Sequence, residues 1–470
     1  MFDKDMGFKT STELAKWISD SPEVTDPVAL ERAQNAFIDT ISCILAAAKD
    51  ETTNRVFRSV KLSGGGACSV VGRPQTLPAE AAALVNGTAA HALDFDDNFM
   101  PAVTHASAVL IPALLALGEE IGASGNQLID AYIIGLQAQS WIGAHMIPAH
   151  YAAGWHSTST VGAIGAAAAC IRLLSVDASI ALNALSIATS MAGGSKQQFG
   201  TMTKPLHAGL AARAGISASR FADSGVEANG DPFEGPWGFF SLHHAEGATS
   251  VRSTSNLAII ENGLAQKRFP CCASAHRSLD SIVSLMEEYN IDTNSIFKIE
   301  TVIPDSNYRN LRFNNPETAS EARFSMTYCA AVAALYGKLR LSDFSSEAIS
   351  RTDVRSFMKR VEMISAGKQS DEGVGIWDYP AVTTIHLKDG RELSQSVQEP
   401  VGTIHSPLSL EDRTDKFFEC ASFLLSTEDA QSLFDCLTRF SEQEVRHVAA
   451  RIRGLGDTPS TANMNVVVNK

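Results

Sequence analysis

The residues best placed to do chemistry lie between Asn86 and Val109. There a small-residue run reaches His91 and then gives three carboxylates in four positions, Asp94, Asp96 and Asp97, with His105 shortly after. Imidazoles titrate near neutral pH and suit proton transfer, and a neighbouring carboxylate can orient one or, if burial raises its pKa, donate a proton itself. An acidic knot between two apolar helices is costly unless opposite charges, hydrogen bonds or a ligand offset it. The alternative is that the aspartates only cap helix ends.

Three further stretches have the same character, polar residues set beside Gly or Pro between helices. Gly154-Trp-His156-Ser-Thr-Ser puts an imidazole ahead of small hydroxyl residues at a helix start, where unpaired N–H groups can hold an anion. Phe199-Gly-Thr-Met-Thr-Lys204-Pro-Leu-His207 supplies an ammonium and a further imidazole. Lys267-Arg-Phe-Pro-Cys-Cys272-Ala-Ser-Ala-His276 lies where the texture of the chain changes, and sites often form at such junctions. Each stretch alone has a packing explanation: a hydrogen-bonded core histidine, a solvated lysine, thiols behaving as small hydrophobes. Their combination carries the argument. Metal binding is disfavoured, because there is no HExxH, EF-hand loop or His/Cys set, and lysines would compete for the aspartates. No GxSxG elbow points to a Ser-His-Asp hydrolase, and Gly162-Ala-Ile-Gly165 and Gly193-Gly-Ser-Lys196 lack nucleotide-loop spacing.

The elements that must position these residues are mostly helices. Residues 11–20 and 27–48 read as helices, the second with Pro27 in its first turn and Leu30, Ala33, Phe37, Ile41, Ile44 and Leu45 on one face. From Pro78 to about Arg220 the sequence is rich in Ala and Gly, with helices expected at Ser107–Ile121, Asn126–His145, Ser157–Leu174 and Asp177–Ala192. Small residues let helix backbones approach closely. Cys68–Val71 reads as a short strand. Residues 223–250, with His243-His244, form a looser connector. Beyond it Ile296–Ile303, Ala381–Leu387 and Glu392–Val397 read as strands, the last two joined by a hairpin through Lys388-Asp389-Gly390. Helices are expected between them at Ser274–Glu288, Ala322–Leu335 and Asp353–Ile364, and again over 409–451, with a frayed end from about Gly456. The fold class is therefore mainly α: a large helical domain over 1–265, a smaller α/β domain over 266–403, and C-terminal helices over 404–470 that return to the first.

The composition is that of a compact globular chain: 470 residues, 45% hydrophobic and 19% charged. A net charge of −14 argues against a general nucleic-acid or anionic-membrane binder, yet leaves room for a local basic pocket. The eight scattered cysteines, with no CxxC, fit reduced thiols in the cytoplasm. The N-terminal sequence has neither a secretory nor a transit-peptide pattern, and the most apolar run, Val161–Ala169, is too short to span a bilayer.

Taken together, Asn86-Gly…His91-Ala-Leu-Asp94-Phe-Asp-Asp97, Gly154-Trp-His156, Gly200-Thr-Met-Thr-Lys204-Pro-Leu-His207 and Lys267-Arg-Phe-Pro with Cys271-Cys272 and His276 resemble the MmgE/PrpD family. That family includes 2-methylcitrate dehydratases, cis-aconitate decarboxylases and an iminodisuccinate epimerase. The resemblance runs over nearly the whole chain and implies a helical domain built from both chain ends, a smaller α/β lid, a homodimer and a site between the domains that needs no metal or organic cofactor. It implies Asp94, His105, His156, Lys204 and Tyr308 as catalytic residues, with Tyr308 closing the site from the lid. It also implies Lys267, Cys272, Asn98, Ser157, His207 and His276 as substrate-binding residues. Cys272 stands where the mammalian decarboxylases carry a histidine. The implied function is a cofactor-independent lyase acting on a small di- or tricarboxylate such as cis-aconitate or 2-methylcitrate. The alternative is an epimerase of an iminodisuccinate-like dicarboxylate.

Overall fold

The computed structural model describes residues 10–62, 64–243, 256–371 and 379–454. His244, residues 1–9 and the chain end from Gly456 lie outside them. The chain is mainly helical. The helices that build the site are α1 (Pro27–Ala47), α2 (Ala79–Ala92), α3 (Ala106–Ile121), α4 (Gly125–Met146), α5 (Ser157–Leu174) and α6 (Thr203–Asp223). Asp26 caps α1 by accepting from the Val28 and Ala29 N–H groups, and Pro27 occupies its first turn. The apolar stripe of α1 is core from Ala33 to Leu45, with Leu30 at its edge.

Small residues bring these helices together. A Cβ on Gly87 of α2 would stand 2.9 Å from the Gly209 Cα of α6, and one on Gly209 would stand 2.2 Å from the Leu84 carbonyl oxygen. Those two helices therefore cross backbone to backbone, which anchors the ends that carry His91 and Lys204. Helix α5 is long and apolar enough to cross a membrane by length and composition, but 89% of it is buried inside the protein. The helix Glu51–Val60 was not expected; its sequence is largely polar, and it starts on an Asp50 cap.

Cys68–Ser69 (β1) and Thr76–Leu77 (β2) form a two-residue antiparallel ribbon. The larger sheet holds β3 (Ile296–Ile303), β4 (Val361–Ser365), β5 (Ala381–Leu387) and β6 (Glu392–Val397) in the order β4-β3-β5-β6. β3 and β4 run parallel and the other neighbours antiparallel. Helices α7 (His276–Glu288) and α9 (Met326–Tyr336) pack on it, and the short α8 (Asp305–Asn310) follows β3. β5 alternates buried and half-buried residues, as a strand covered on one face should. One expectation is corrected: the helix predicted over Asp353–Ile364 stops at Met358, and the chain turns into β4. A strand pair 62 residues apart, Ile299 with Val361, overrides the local helical pattern.

Two buried clusters result. One gathers side chains from Leu14 to Leu264 together with Phe417–Ile452, which includes α10 (Leu410–Ala421); the other runs from Phe269 to Leu387. Phe199 belongs to the second cluster and Leu341 to the first, so each crosses the junction. The chain between Leu264 and Phe269 passes along that junction, carrying Lys267.

Candidate active site

Helix α2 ends at Ala92, and Asp94 follows with φ +54°. This left-handed turn sends the three aspartates to different partners. Asp94 Oδ1 takes the Lys267 ammonium at 2.5 Å and the Lys204 ammonium at 3.1 Å. Lys267 also donates to the Asp94 carbonyl at 2.8 Å. Asp96 faces imidazoles: its carboxylate accepts from His91 Nδ1 at 2.8 Å and lies 3.2 Å from His105 Nδ1. His105 Nδ1 also lies 2.9 Å from the Asp97 carbonyl oxygen. Asp97 Oδ2 accepts from the Ser107 hydroxyl, which lies 2.7 Å from the Tyr132 hydroxyl. His156 and His207 meet Nδ1 to Nδ1 at 3.0 Å, so one ring donates there and the other carries its proton on Nε2. The His91 and His105 rings stand 4.2 Å apart, and those of His91 and His156 5.9 Å apart.

Every one of these groups is buried or nearly so, and burial sets the electrostatics. It raises the Asp94 carboxyl, but the Lys204 and Lys267 ammoniums outweigh it and hold the group well below the usual carboxylate range. Asp96 is likewise pulled well down, by His91 and His105 against burial. Asp97 goes the other way: burial and the Asp39 carboxylate push it up to about 7. Burial lowers His91 to about 3 and also lowers His105, although Asp96 opposes both shifts. Burial and then Lys204 depress His156. The roles anticipated for Asp94 therefore divide: Asp96 orients the imidazoles, Asp97 is the carboxyl whose pKa burial raises, and Asp94 organises the lysines.

Of the residues expected at the site, Asp94, His105, His156, Lys204, Lys267 and His207 converge. Ser157 opens α5 with a buried Oγ that has no hydrogen-bond partner among the described residues, and the Asn98 N–H is tied to the Ala265 carbonyl at 3.0 Å. Cys272 is buried, with its thiol pushed up by burial and by Asp94, so it is a packing wall in this state rather than a thiolate. His276 Nε2 lies 3.2 Å from the Cys271 carbonyl oxygen, and burial, then Lys267, lowers its pKa to about 3. Tyr308 is 38% exposed on α8; Asn310 of the same helix reaches inward instead, donating to the Tyr151 hydroxyl at 3.1 Å and to Ser274 Oγ at 3.2 Å.

Sequence reasoning missed Tyr151, Asn310 and a supporting ion pair. Lys416, from α10, pairs with Asp39 of α1 at 2.7 Å and donates to the Phe95 carbonyl at 2.7 Å and the Lys267 carbonyl at 3.2 Å. Its three N–H groups are thus spent on bracing the two segments that meet at Asp94. A lysine in an otherwise ordinary amphipathic helix gives no local sign of this; the one available signal was Asp39 on the apolar side of α1.

His91, Asp94, Asp96 and His105 offer ligand atoms within 4.8 Å of one another. The arrangement suits protons better than a divalent ion. Asp94 Oδ1 already faces two ammoniums, which leaves a net positive charge there, and Asp96 already serves two imidazoles, so a metal would stand beside two fixed positive charges.

Comparison with known proteins bears on most of the chain. The model of the MmgE/PrpD N-terminal domain matches residues 12–250, and that of the MmgE/PrpD C-terminal domain matches residues 269–439. The cis-aconitate decarboxylase of Homo sapiens is 31% identical over 90% of this chain and 89% of its own length. That of Mus musculus is 29% identical over 91% and 90%. That of Aspergillus terreus is 25% identical over 83% and 85%.

Proposed function

This chain belongs to the MmgE/PrpD family and is an enzyme of the lyase kind; we propose that it decarboxylates a cis-aconitate-like tricarboxylate without a cofactor. The observation that carries the reading is the pair of buried lysines, Lys204 and Lys267, gathered on Asp94 beside the Asp96-backed imidazole of His105. The reaction has one physical problem: negative charge must spread onto a carbon next to a carboxylate that is already negative. A charge pair at ~4 Å is worth about 1 kcal/mol in water and about 4 kcal/mol at an effective dielectric of 20. A lysine held in a dry site can therefore contribute roughly 3 kcal/mol, or about two decades of rate, if the contact strengthens in the transition state.

Each lysine has N–H donors beyond those Asp94 takes, and these hold substrate carboxylates. The bond from the methylene carbon to its carboxylate breaks and releases CO₂. Its electron pair forms a new C=C, and the original alkene pair moves to the far carbon, which takes a proton. His105 is built to give that proton. Its Nδ1 is occupied by Asp96 and the Asp97 carbonyl, which leaves Nε2 for the substrate. A trianion opposes the lowering effect of the lysines on His105 and favours its imidazolium at the moment it is needed. Solvent restores the proton. Lys204, Lys267, Asp94 and His156 are each under 5% exposed, so the lid must open to admit substrate. The expected homodimer and cytoplasmic setting belong to the same proposal; light scattering tests the first.

The test is proton NMR in D₂O with cis-aconitate, 2-methylcitrate and iminodisuccinate in separate tubes. Loss of the aconitate vinyl signal, a new terminal-methylene pair and one deuterium in the saturated arm are expected. A new alkene from 2-methylcitrate alone would replace decarboxylation with dehydration. Deuterium entering intact iminodisuccinate alone would replace it with epimerisation.

A further inference from the structure

Lys196 opens a short 3₁₀ turn, Lys196–Gln198, that leads into Phe199. The Phe199 ring stands edge-on to His156, with centroids 5.1 Å apart, and lies 5.5 Å from the Lys204 ammonium. The Lys196 N–H donates to the Gly154 carbonyl at 2.8 Å, and the His156 N–H donates to the Gly194 carbonyl at 3.0 Å. The turn is therefore fixed relative to the catalytic cluster. The Lys196 ammonium lies 3.5 Å from the centroid of the Tyr151 ring and donates to the Tyr151 carbonyl at 3.3 Å. The Tyr151 hydroxyl accepts at 3.1 Å from Asn310, which also donates to Ser274, two residues beyond Cys272, at 3.2 Å; burial first, then Cys272 and Asp94, raises the phenol's pKa. One aromatic ring thus separates Lys196 from the central site.

Across the junction, Arg312 of the lid donates to the Phe199 carbonyl at 2.7 Å. Among the described residues no carboxylate forms an ion pair with Lys196 or Arg312, whereas neighbouring Arg309 has Asp305 and Asp371. Burial first, then Arg309, pulls Lys196 down to about 8; Cys272 and Asp371 oppose the shift and Arg312 adds to it. Arg312 is solvent-exposed, but in a chain of net charge −14 the half-buried Lys196 ammonium faces a ring and a carbonyl with no ion-paired carboxylate among the described residues, which leaves its charge only partly compensated. An incoming carboxylate compensates the rest.

We propose that Lys196, with Arg312 opposite, forms an accessory carboxylate subsite at the mouth of the pocket and selects tricarboxylates over dicarboxylates. The inference rests on reading the central site as one for polycarboxylates. It concerns a carboxylate remote from the reacting carbon, which Lys204 and Lys267 do not hold.

The experiment is titration calorimetry of the full chain with two inert probes, tricarballylate and glutarate, which share a carbon backbone and differ by one carboxylate. Wild-type protein should prefer tricarballylate. In Lys196→Met the ratio of the two affinities should fall about tenfold, while Lys196→Arg holds it within threefold. Arg312→Met, at an exposed position, provides a second arm and should lower the ratio in the same direction. An unchanged ratio in both Met variants, or equal weakening of both probes, overturns the subsite while leaving the central reading intact. Wild-type protein that binds neither probe overturns both.

Discussion

The Lys267 ammonium grips Asp94 twice, at the side-chain Oδ1 (2.5 Å) and at the main-chain carbonyl (2.8 Å), so the residue at positive φ is held by backbone and side chain together. A non-glycine residue in that conformation costs about 1–3 kcal/mol and persists only when its surroundings over-determine it. Removing one partner of a buried ion pair costs about 3–5 kcal/mol when the other charge is stranded; Lys204 stays on Asp94 at 3.1 Å and keeps the cost at the low end. Lys267→Met should therefore lower stability by roughly 3 kcal/mol in urea titrations. In the fraction that still folds, it should lower kcat about 100-fold. Near-normal turnover by folded Lys267→Met would remove the lysine clamp from the mechanism.

Asp97 yields a pH prediction with a definite sign. Its folded pKa of about 7 lies above the ordinary aspartate value of 3.8. Its stabilising contribution is therefore complete below pH 4 and is lost as pH rises toward 7. At about 1.4 kcal/mol per pH unit, the loss between pH 5 and 7 is roughly 2 kcal/mol. Asp97→Asn cannot ionise and should lack this component. The difference in unfolding free energy between the two proteins, followed by urea denaturation from pH 5 to 8, should move in favour of the variant by that amount and level off above 7. A difference independent of pH would mean that Asp97 is ionised throughout.

These two aspartates show where the sequence was legible and where it was not. Positions 94, 96 and 97 are chemically identical in the sequence, and only the left-handed turn at Asp94 assigns one to lysines, one to imidazoles and one to a hydroxyl. Elements with strong local patterns were readable: α5 over Ser157–Leu174, and the β5–β6 hairpin, whose alternation and Asp-Gly turn agree. β4 was not, because its pairing with β3 is the only reason for five residues after a helix to be extended. The lysine clamp was foreseeable from motifs as a set of residues, but its geometry was not. Lys416 braces Phe95 from 321 positions away, a link that no local window contains.

That brace separates folding from positioning. Lys416→Met strands Asp39 and should cost about 3–5 kcal/mol. Replacing both charges, as Asp39→Asn with Lys416→Met, should recover most of that stability, since removing a whole buried pair is often near neutral. Activity should not return with it, because the Phe95 and Lys267 carbonyls remain without their donor. The measurement is a double-mutant cycle read twice, by urea titration and by kcat. Full recovery of kcat along with stability would make Lys416 a folding residue only.

The tyrosines give the sharpest contrast between resemblance and geometry. Tyr308, the residue implied by family likeness, stands 38% exposed on α8, whereas Tyr151 meets Asn310 of that same helix across the junction. The Tyr151 hydroxyl accepts from Asn310 and keeps its own proton to donate to a substrate carboxylate. Tyr151→Phe should therefore reduce kcat/KM about tenfold, mainly through KM, the loss expected for one hydrogen bond to a charged group. Tyr308→Phe should have a smaller effect, within about threefold on the same scale. Steady-state kinetics of both variants on whichever substrate the NMR test identifies decides between them. A larger effect from Tyr308→Phe would mean that α8 turns as the lid closes over substrate, bringing the exposed hydroxyl inward and replacing the Tyr151–Asn310 contact.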